Sequence, residues 1–263
     1  MEKVPVSVVV ITKNEEENIE SCLKSASFAD EIVVLDDSST DKTVAKARAF
    51  TDKVFTKKMD IEGAHRNYAY SLAKNDWVLS LDADERISAE LAQELEALMK
   101  RPMNDKAYTI PIKTYIGDRW IRYSGWYPAP KVRLFDKRCF TYEEVEVHPR
   151  VFIQGSCGHL KGDIIHYSYK DFHDFFVSLN NQTTLEARKW FKERRKIGFW
   201  KMYRKFVDRF LKAYIRKQGF RDGFLGLMIS YAAGLYQVMS YAKYTEMLAR
   251  EDRKQLKRYG VGA

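Results

Sequence analysis

The chain has 263 residues, 45% of them hydrophobic and 31% charged, which is enough for one large α/β domain or two small ones. The three cysteines are odd in number and widely spaced, so they predict neither a disulfide framework nor a zinc site and fit a reducing cytoplasm. The net charge of +9 belongs to one segment, because residues 186–221 carry 14 Lys and Arg against three acids. The short apolar run at residues 4–11 contains Pro5, and we expect no signal peptide there.

Short apolar runs alternate with helical patterns in the first hundred residues. Strands are predicted at residues 6–12, 31–35, 53–56 and 77–81, and helices at about 16–27, 42–50 and 64–73. This β-α-β order predicts a parallel, doubly wound α/β sheet. The segment contains neither a glycine-rich dinucleotide fingerprint nor a P-loop, which disfavours a dehydrogenase or a P-loop enzyme.

Polar residues follow three of these strands, at Thr12–Glu15, Asp36–Ser38 and Asp82–Asp84. Ligands of such sheets bind beyond the carboxyl ends of the strands, so we expect these residues to face one ligand. Asp82 and Asp84 are two residues apart and would point to the same side of an extended chain, as ligands of Mg²⁺ or Mn²⁺. A pair of surface acids is the alternative; neither acid is needed as a helix cap, because Ser88 is placed for that.

The middle third of the chain has a different residue pattern, without the regular alternation of strands and helices. Strands are predicted at residues 107–112, 131–135 and 164–166, an aromatic-rich stretch at 120–128, and three acids with a histidine at 142–148. We expect a mixed α+β extension of the sheet. From Phe172 the pattern is helical, with Asp171 as the cap.

Residues 186–221 interleave aromatic with basic side chains, which is typical of an interfacial helix on an anionic membrane. The contact is predicted at Trp200, Lys201, Arg204, Lys205 and Arg209. A solvated basic face over a packed apolar stripe is the alternative; a nucleic-acid surface uses the same charges but is less favoured, and no nucleic-acid partner is expected. Residues 224–242 are uncharged but contain too many polar groups for a bilayer core, so a core or half-inserted helix is expected.

Three motifs, at residues 8–15, 32–41 and 81–85, resemble in order and spacing the family-2 inverting glycosyltransferases of the GT-A fold. Residues 125–128, 133–135, 147–148, 160–163 and 219–223 resemble the bacterial branch that adds β-glucose to the lipopolysaccharide inner core, and the resemblance covers nearly the full length. It implies transfer of a sugar, glucose in that branch, from a UDP-sugar to a lipid-linked saccharide at the inner face of the bacterial inner membrane. Polyprenyl phosphate, a protein or a capsule precursor are alternative acceptors, and a non-catalytic binding module is the remaining alternative.

The resemblance also implies roles for individual residues. The donor would be bound by Thr12, Asn14, Glu15, Asp36, Asp37, Gly63, Arg66, Asn67, Asp82 and Ala83. Mg²⁺ or Mn²⁺ would be bound by Asp84, Asp82 and His166, with Asp84 as the direct ligand, whereas Glu85 is expected to be structural. Pro149 stands where the family often has a glutamate, so Glu144, and after it Glu146, is the predicted general base. Acceptor contacts are predicted at Trp126, Tyr127, Arg133 and His148.

These roles divide the chain. Residues 1–170 would form the catalytic domain, with a nucleotide-sugar half at 1–100 and an acceptor half at 101–170. Residues 171–263 would form a helical, basic extension.

Overall fold

The structure is a computed structural model that describes residues 3–145 and 150–258, without the side chains of residue 252 and residues 254–258. The chain forms two compact units. The first contains the residues up to 114 together with 128–168, and the second contains 115–127 together with the residues from 169 onward. The segment 115–127, expected in the acceptor half of the catalytic domain, thus belongs to the helical unit.

The first unit is built on a seven-stranded, mostly parallel sheet. Its first half alternates β1 (Val4–Thr12), α1 (Ile19–Ser25), β2 (Ala29–Asp36), α2 (Thr43–Ala47), β3 (Val54–Thr56), α3 (Glu62–Ser71) and β4 (Trp77–Asp82). β1 is an interior strand and pairs in parallel with β2 on one side and with β4 on the other. The predicted parallel, doubly wound arrangement is therefore confirmed.

Both faces of this sheet are covered, which explains the nearly continuous apolar character of its strands. Val8 and Val10 of β1 pack on one face with Leu23 of α1, whereas Val9 packs on the other face with Ala69 of α3. The alternation follows from the two-residue repeat of a strand.

The rest of the first unit is dominated by strands. After β5 (Glu85–Ile87) comes α4 (Ala89–Met99), whose cap is Ser88 as predicted: its hydroxyl accepts a hydrogen bond from the Leu91 N–H at 3.1 Å. The strands that follow are β6 (Ala107–Ile110), β7 (Ile112–Ile116), β8 (Arg119–Trp120), β9 (Lys131–Asp136), β10 (Phe140–Tyr142), β11 (Val151–Ile153), β12 (Cys157–His159) and β13 (Ile164–Tyr169). Of these, β8 and the last residues of β7 and β13 are assigned to the second unit.

This part corrects two expectations. The strand predicted at 107–112 is divided at Pro111, since proline has no N–H to donate to a strand neighbour. The mixed α+β extension contains no helix in the described residues between α4 and residue 171, because β6, β9 and β12 continue the main sheet instead.

The second unit consists mainly of helices. It contains α5 (Phe172–Lys192), α6 (Phe199–Leu211), a π-helical turn (Lys212–Arg216), a 3₁₀ turn (Gly219–Asp222) and α7 (Gly223–Arg258). Asp171 caps α5 as predicted, by accepting a hydrogen bond from the Asp174 N–H at 2.8 Å. Within the described residues, no helix combines the length and the apolar character that crossing a membrane requires.

Two features of this unit were not foreseen. The uncharged stretch 224–242 and the charged residues after it form one continuous 36-residue helix. Trp190, grouped with the basic-aromatic segment, is 2% exposed and packs with Ala187 and Tyr244, and its indole N–H donates to Glu186 at 2.6 Å. It is therefore a core residue.

Candidate active site

Three strand ends meet at one edge of the main sheet. The register places Thr12 of β1 beside Asp36 of β2, and Ile11 of β1 beside Asp82 of β4. A cleft of about 300 Å³ opens there, lined by Ile11, Thr12, Lys13, Glu15, Asp37, Met59, Asp82, Ala83, Asp84 and His166. The structure thus brings together seven of the predicted donor and metal residues.

Asn14 shapes the loop after β1. Its φ of 53° lies in the left-handed region, which asparagine tolerates better than most residues. Its N–H donates to the Ser39 hydroxyl and its side-chain oxygen accepts from the Thr40 N–H, both at 2.8 Å. Asn14 therefore ties together the loops that follow β1 and β2. Glu15 continues this loop and accepts a hydrogen bond from the Asn18 amide at 2.8 Å.

Asp36 and Thr12 each keep a buried oxygen without a partner. The Asp36 carboxylate is 1% exposed, and one of its oxygens accepts from the Ser39 N–H at 2.9 Å. Its other oxygen and the Thr12 hydroxyl make no hydrogen bond within the described residues. A buried polar group without a partner costs about 1–3 kcal/mol, so these two atoms favour a polar ligand.

Asp37 is different, because both of its oxygens are occupied. One accepts from the Lys13 ammonium at 2.8 Å and the other from the Met59 N–H at 2.7 Å. Burial raises the pKa of Asp37, but the Lys13 and Met59 hydrogen bonds outweigh it and hold the pKa below its ordinary value. Asp37 therefore stays charged and fixes the loop.

Asp82 accepts hydrogen bonds from two arginines. Arg66 approaches one oxygen at 3.3 Å, and Arg133 donates to the other at 2.9 Å. Burial raises the pKa of Asp82, but the two guanidinium groups outweigh it and hold the pKa well below its usual range. Arg133 also donates to the fully buried Glu85, which accepts from the Asp82 N–H at 2.9 Å, so the expectation that Glu85 is structural agrees with its contacts.

Asp84 projects into the cleft beside His166. The His166 Nε2 atom lies 3.0 Å from an Asp84 oxygen, and both side chains keep about a fifth of their surface exposed. Burial lowers the pKa of His166, but the hydrogen bond to Asp84 and the surrounding carboxylates outweigh it and raise the pKa above its ordinary value. The backbone supports the pair, because the Tyr167 N–H donates to the Asp84 carbonyl at 3.0 Å.

A carboxylate oxygen next to an imidazole nitrogen is a suitable partial ligand set for Mn²⁺ or Mg²⁺. In the described part of the chain, no group of three or more His, Cys, Asp and Glu side chains converges on one point. A divalent ion held by Asp84 and His166 would therefore complete its shell with substrate oxygens and water, as Mg²⁺ commonly does. The geometry does not favour Asp82 as a third ligand, since its oxygens already accept from arginines.

One face of α3 connects this cleft to the segment that carries the predicted base. Gly63, Arg66 and Asn67 are three and four residues apart and so lie on the same side of the helix. A Cβ atom on Gly63 would lie 1.9 Å from the Glu143 carbonyl oxygen. Asn67 and the Tyr142 backbone exchange two hydrogen bonds, at 3.0 and 2.9 Å.

These contacts fix the segment up to Glu144, whose side chain is exposed. They also give Gly63 and Asn67 a packing role beside the predicted donor role. The other predicted base, Glu146, and the predicted acceptor residue His148 lie outside the described residues.

Comparison with known proteins identifies the family. Residues 7–211 match the model of Glycosyl transferase family 2, which is well over half of the chain. The chain belongs to glycosyl transferase family 2. Family membership together with the mostly parallel sheet confirms the predicted GT-A-type α/β fold and the predicted enzyme class.

Relatives of this family member extend over most of its length. An uncharacterized glycosyltransferase of Rickettsia typhi, RT0209, is 29% identical over 256 residues, which cover 92% of this chain and 87% of the relative. The lipopolysaccharide core biosynthesis glycosyltransferase LpsC of Rhizobium meliloti is 22% identical, over 95% of this chain and 96% of the relative.

Solved structures match more locally. Glucosyl-3-phosphoglycerate synthase from Mycobacterium tuberculosis, in complex with Mg²⁺ and UDP, has 24% identity and a TM-score of 0.34, over 42% of this chain and 43% of that one. This family member therefore spans less than half the length of that solved structure.

The predicted acceptor residues that the structure describes are divided between the two units of this glycosyltransferase: one is buried in the first unit, and two belong to the second. Arg133 is 4% exposed and committed to Asp82 and Glu85, so it is not available to an acceptor. Trp126 and Tyr127 belong to the helical unit. There, the Trp126 ring lies 6.3 Å from that of Tyr169, and the Tyr127 ring meets that of Trp120 edge-on at 5.2 Å.

Sequence analysis missed several residues that build the site. Lys13 and Met59 line the cleft, and Arg86 fixes the turn after β4 by donating to the Ala83 carbonyl at 3.0 Å and to Asn18 at 2.9 Å. An arginine directly after the acids 82–85 was the one signal available. His65 is 2% exposed, and neither ring nitrogen has a partner among the described residues; no pattern in the sequence indicates this.

Proposed function

We propose that this family-2 glycosyltransferase moves glucose from UDP-glucose to a lipid-linked saccharide of the lipopolysaccharide inner-core type, with inversion and with Mg²⁺ or Mn²⁺. One observation carries the donor half of the proposal. The unsatisfied oxygens of Thr12 and Asp36 lie at neighbouring strand ends of the main sheet, and the Asp84–His166 pair lines the cleft that opens there. The first group suits a nucleoside and the second suits a diphosphate with its cation.

The nucleoside half of the donor would be bound by hydrogen bonds. The Asp36 carboxylate accepts from a ribose hydroxyl, while the Thr12 hydroxyl can donate to or accept from the base. Because Asn14 and Asp37 fix the two loops, these groups are held in place before the donor arrives. Such preorganisation reduces the entropy that binding costs.

The diphosphate half would use Asp84 and His166 as ligands of the divalent ion. When bound, that ion supplies positive charge to the diphosphate as it departs from the sugar. Arg66 and Arg133 have a positioning role, because their hydrogen bonds to Asp82 fix the end of β4 from which Asp84 projects. The proposal thus assigns the cation to Asp84 and the support of the site to Asp82.

Inversion requires one base that takes the proton of the acceptor hydroxyl as its oxygen attacks the anomeric carbon. Glu144 remains our candidate, with Glu146 as the second. Glu144 is exposed to solvent, as a base that meets an incoming substrate must be. The contacts of Gly63 and Asn67 with residues 142–143 support it from α3, the helix that also carries Arg66.

The acceptor is proposed from the relatives and from the surface of the second unit. LpsC, similar over nearly its full length, is named for lipopolysaccharide core biosynthesis. A lipid-linked acceptor requires the enzyme to work at a membrane. Trp200 is 78% exposed on α6, between Phe199 and Lys201, and supports peripheral contact with an anionic membrane at the cytoplasmic side.

Donor turnover tests this proposal. We expect purified protein with Mn²⁺ to release UDP from UDP-glucose, faster when a core-truncated lipopolysaccharide is added, and to leave GDP-mannose and ADP-glucose unused. Asp84→Asn should lower the rate by two orders of magnitude or more, while Asp52→Asn, a substitution of an exposed acid, should not. Full activity of Asp84→Asn would refute the assigned cation site.

A further inference from the structure

The second unit contains a cavity of its own, of about 440 Å³, which lies in the size range of ligand sites. Its walls come from α5, α6 and α7 and from the segment 115–127, and every lining residue belongs to the second unit. α7 contributes Ala232 and Ala233, whose short side chains leave the space open.

Gln237 gives the cavity a polar group that lacks a protein partner. Its side chain is 7% exposed and lines the cavity, yet its amide makes no hydrogen bond to any described residue. The amide presents one acceptor oxygen and two N–H donors to the cavity. A ligand with hydroxyl groups would satisfy both its carbonyl oxygen and its NH₂ group.

Two charged groups of opposite sign complete the polar side. The Trp190 indole N–H holds one Glu186 oxygen at 2.6 Å, which leaves the second oxygen for another donor. Arg209 lines the same cavity and has no carboxylate within ion-pair distance in the described part of the chain. Arg209, predicted to contact the membrane, is therefore also placed to bind a ligand in this cavity.

The remaining wall is aromatic. Trp126, Tyr169 and Phe175 pack against one another with ring centroids 5.1–6.4 Å apart, and Tyr236 lines the cavity as well. Aromatic faces cover the apolar C–H faces of sugar rings, while amide, carboxylate and guanidinium groups bind the hydroxyls. An acyl chain would fill the space but leave the Gln237 amide and the second Glu186 oxygen without partners.

We propose that this cavity is a saccharide-binding site, which takes one or two sugar rings of the acceptor between Trp126 and the polar group formed by Gln237, Glu186 and Arg209. The proposal rests on the proposed function for the identity of the saccharide. It goes beyond that function, because it adds a recognition site for acceptor rings, built by α5, α6 and α7, to the reacting centre in the first unit.

The test is direct binding, measured without turnover. The probe is the lipid-free core oligosaccharide released by mild acid from Rhizobium meliloti lipopolysaccharide, and calorimetry on the full chain gives its dissociation constant. We expect Gln237→Leu to weaken binding about tenfold and Trp126→Leu to weaken it at least as much. Gln154→Leu, which changes an exposed glutamine of the first unit, is the matched control and should bind like the wild type.

A second variant distinguishes loss of the site from loss of the fold. Ala233→Phe fills the cavity without removing a polar group, and it should abolish oligosaccharide binding while UDP-glucose with Mn²⁺ still raises the melting temperature. Equal binding by the wild type, Gln237→Leu and Ala233→Phe would overturn the proposal. Binding of laurate without binding of the oligosaccharide would also overturn it, as would the absence of detectable binding of either molecule.

The two proposals fail separately. If UDP-glucose binds and turns over but no variant of the cavity changes oligosaccharide binding, the donor assignment stands and the cavity assignment falls. If Asp84→Asn loses the thermal response to UDP-glucose yet keeps oligosaccharide binding, both assignments are supported.

Discussion

Arg133 donates a hydrogen bond to Asp82 at 2.9 Å, deep beside the cleft, and the same guanidinium contacts the fully buried Glu85. Arg66 reaches Asp82 from the other side. The acid that the motif presents as a cation ligand is therefore the centre of an ion-pair cluster, whereas Asp84, two residues later, contacts His166 in the cleft.

This cluster predicts a large effect on stability. Arg133→Met should lower the free energy of unfolding by about 3 kcal/mol, because it leaves the fully buried Glu85 carboxylate without its cation and Asp82 with Arg66 alone. Urea unfolding measures the change. Arg101→Met, at an exposed arginine, should change stability by less than about 0.5 kcal/mol. A similar, small change in both variants would contradict the role given to the cluster.

The close approach at Gly63 predicts an effect on activity. Gly63→Ala places a methyl group against the Glu143 carbonyl and must displace the segment that carries Glu144. We expect kcat to fall about a hundredfold, since a 1 Å displacement of a catalytic group has effects of that size. Gly198→Ala, where the added methyl would meet nothing within 4 Å, is the control. Wild-type kcat in Gly63→Ala would show that Glu144 is not the base or that its segment moves freely.

How much of this site could be foreseen is clear from Asp82 and Asp84. Their place at the end of β4 follows from an apolar run that stops at two acids, and the meeting of three strand ends follows from the β-α-β order. Their different roles could not be predicted, because Arg66 and Arg133 come from 16 and 51 residues away and only the folded chain brings them to Asp82.

The helical unit shows the same limit. Trp190 and Trp200 look equivalent in the sequence, as aromatic residues among basic ones. Packing against α7 buries Trp190, whereas Trp200 is 78% exposed. The cavity around Gln237 depends on four separate segments and leaves no local signal in the sequence.

Asp136 makes stability depend on pH. The hydrogen bonds from Arg138 hold its pKa below the ordinary value of 3.8. A lowered pKa contributes stability that is complete above 3.8 and is lost as the pH falls through the folded-state pKa, below 3.8. Asp136→Asn should therefore lower the free energy of unfolding by about 2 kcal/mol at pH 7. The effect should become small once the pH falls below the folded-state pKa of Asp136.

Chemical unfolding at a series of pH values checks this. Asp76 also contacts Arg138, at 2.9 Å, but it is half exposed. Asp76→Asn should thus cost less than about 1 kcal/mol at any pH. If Asp136→Asn lowers the free energy of unfolding equally at pH 3 and at pH 7, the charge of Asp136 contributes nothing to stability.

The exposed face of α6 predicts membrane binding. Trp200→Ala combined with Lys201→Gln and Arg204→Gln should reduce the affinity for vesicles of phosphatidylcholine and 30% phosphatidylglycerol, measured by cosedimentation, by at least tenfold, because each basic residue near an anionic surface contributes about 1 kcal/mol and Trp200 adds apolar contact. Lys24→Gln with Arg101→Gln removes two exposed charges from the first unit and serves as the control. Equal losses of vesicle binding in both variants would indicate a general effect of net charge. No loss in either variant would refute the membrane-binding role of this face of α6.

The central claim is that Asp84 and His166 hold the cation that carries the donor diphosphate. Calorimetry of UDP binding, with and without Mn²⁺, tests it most directly for the wild type, Asp84→Asn and the exposed-acid control Asp52→Asn. We expect Mn²⁺ to tighten UDP binding to the wild type and the control by at least tenfold and to have no effect on Asp84→Asn. Tightening by Mn²⁺ that persists unchanged in Asp84→Asn would contradict the account.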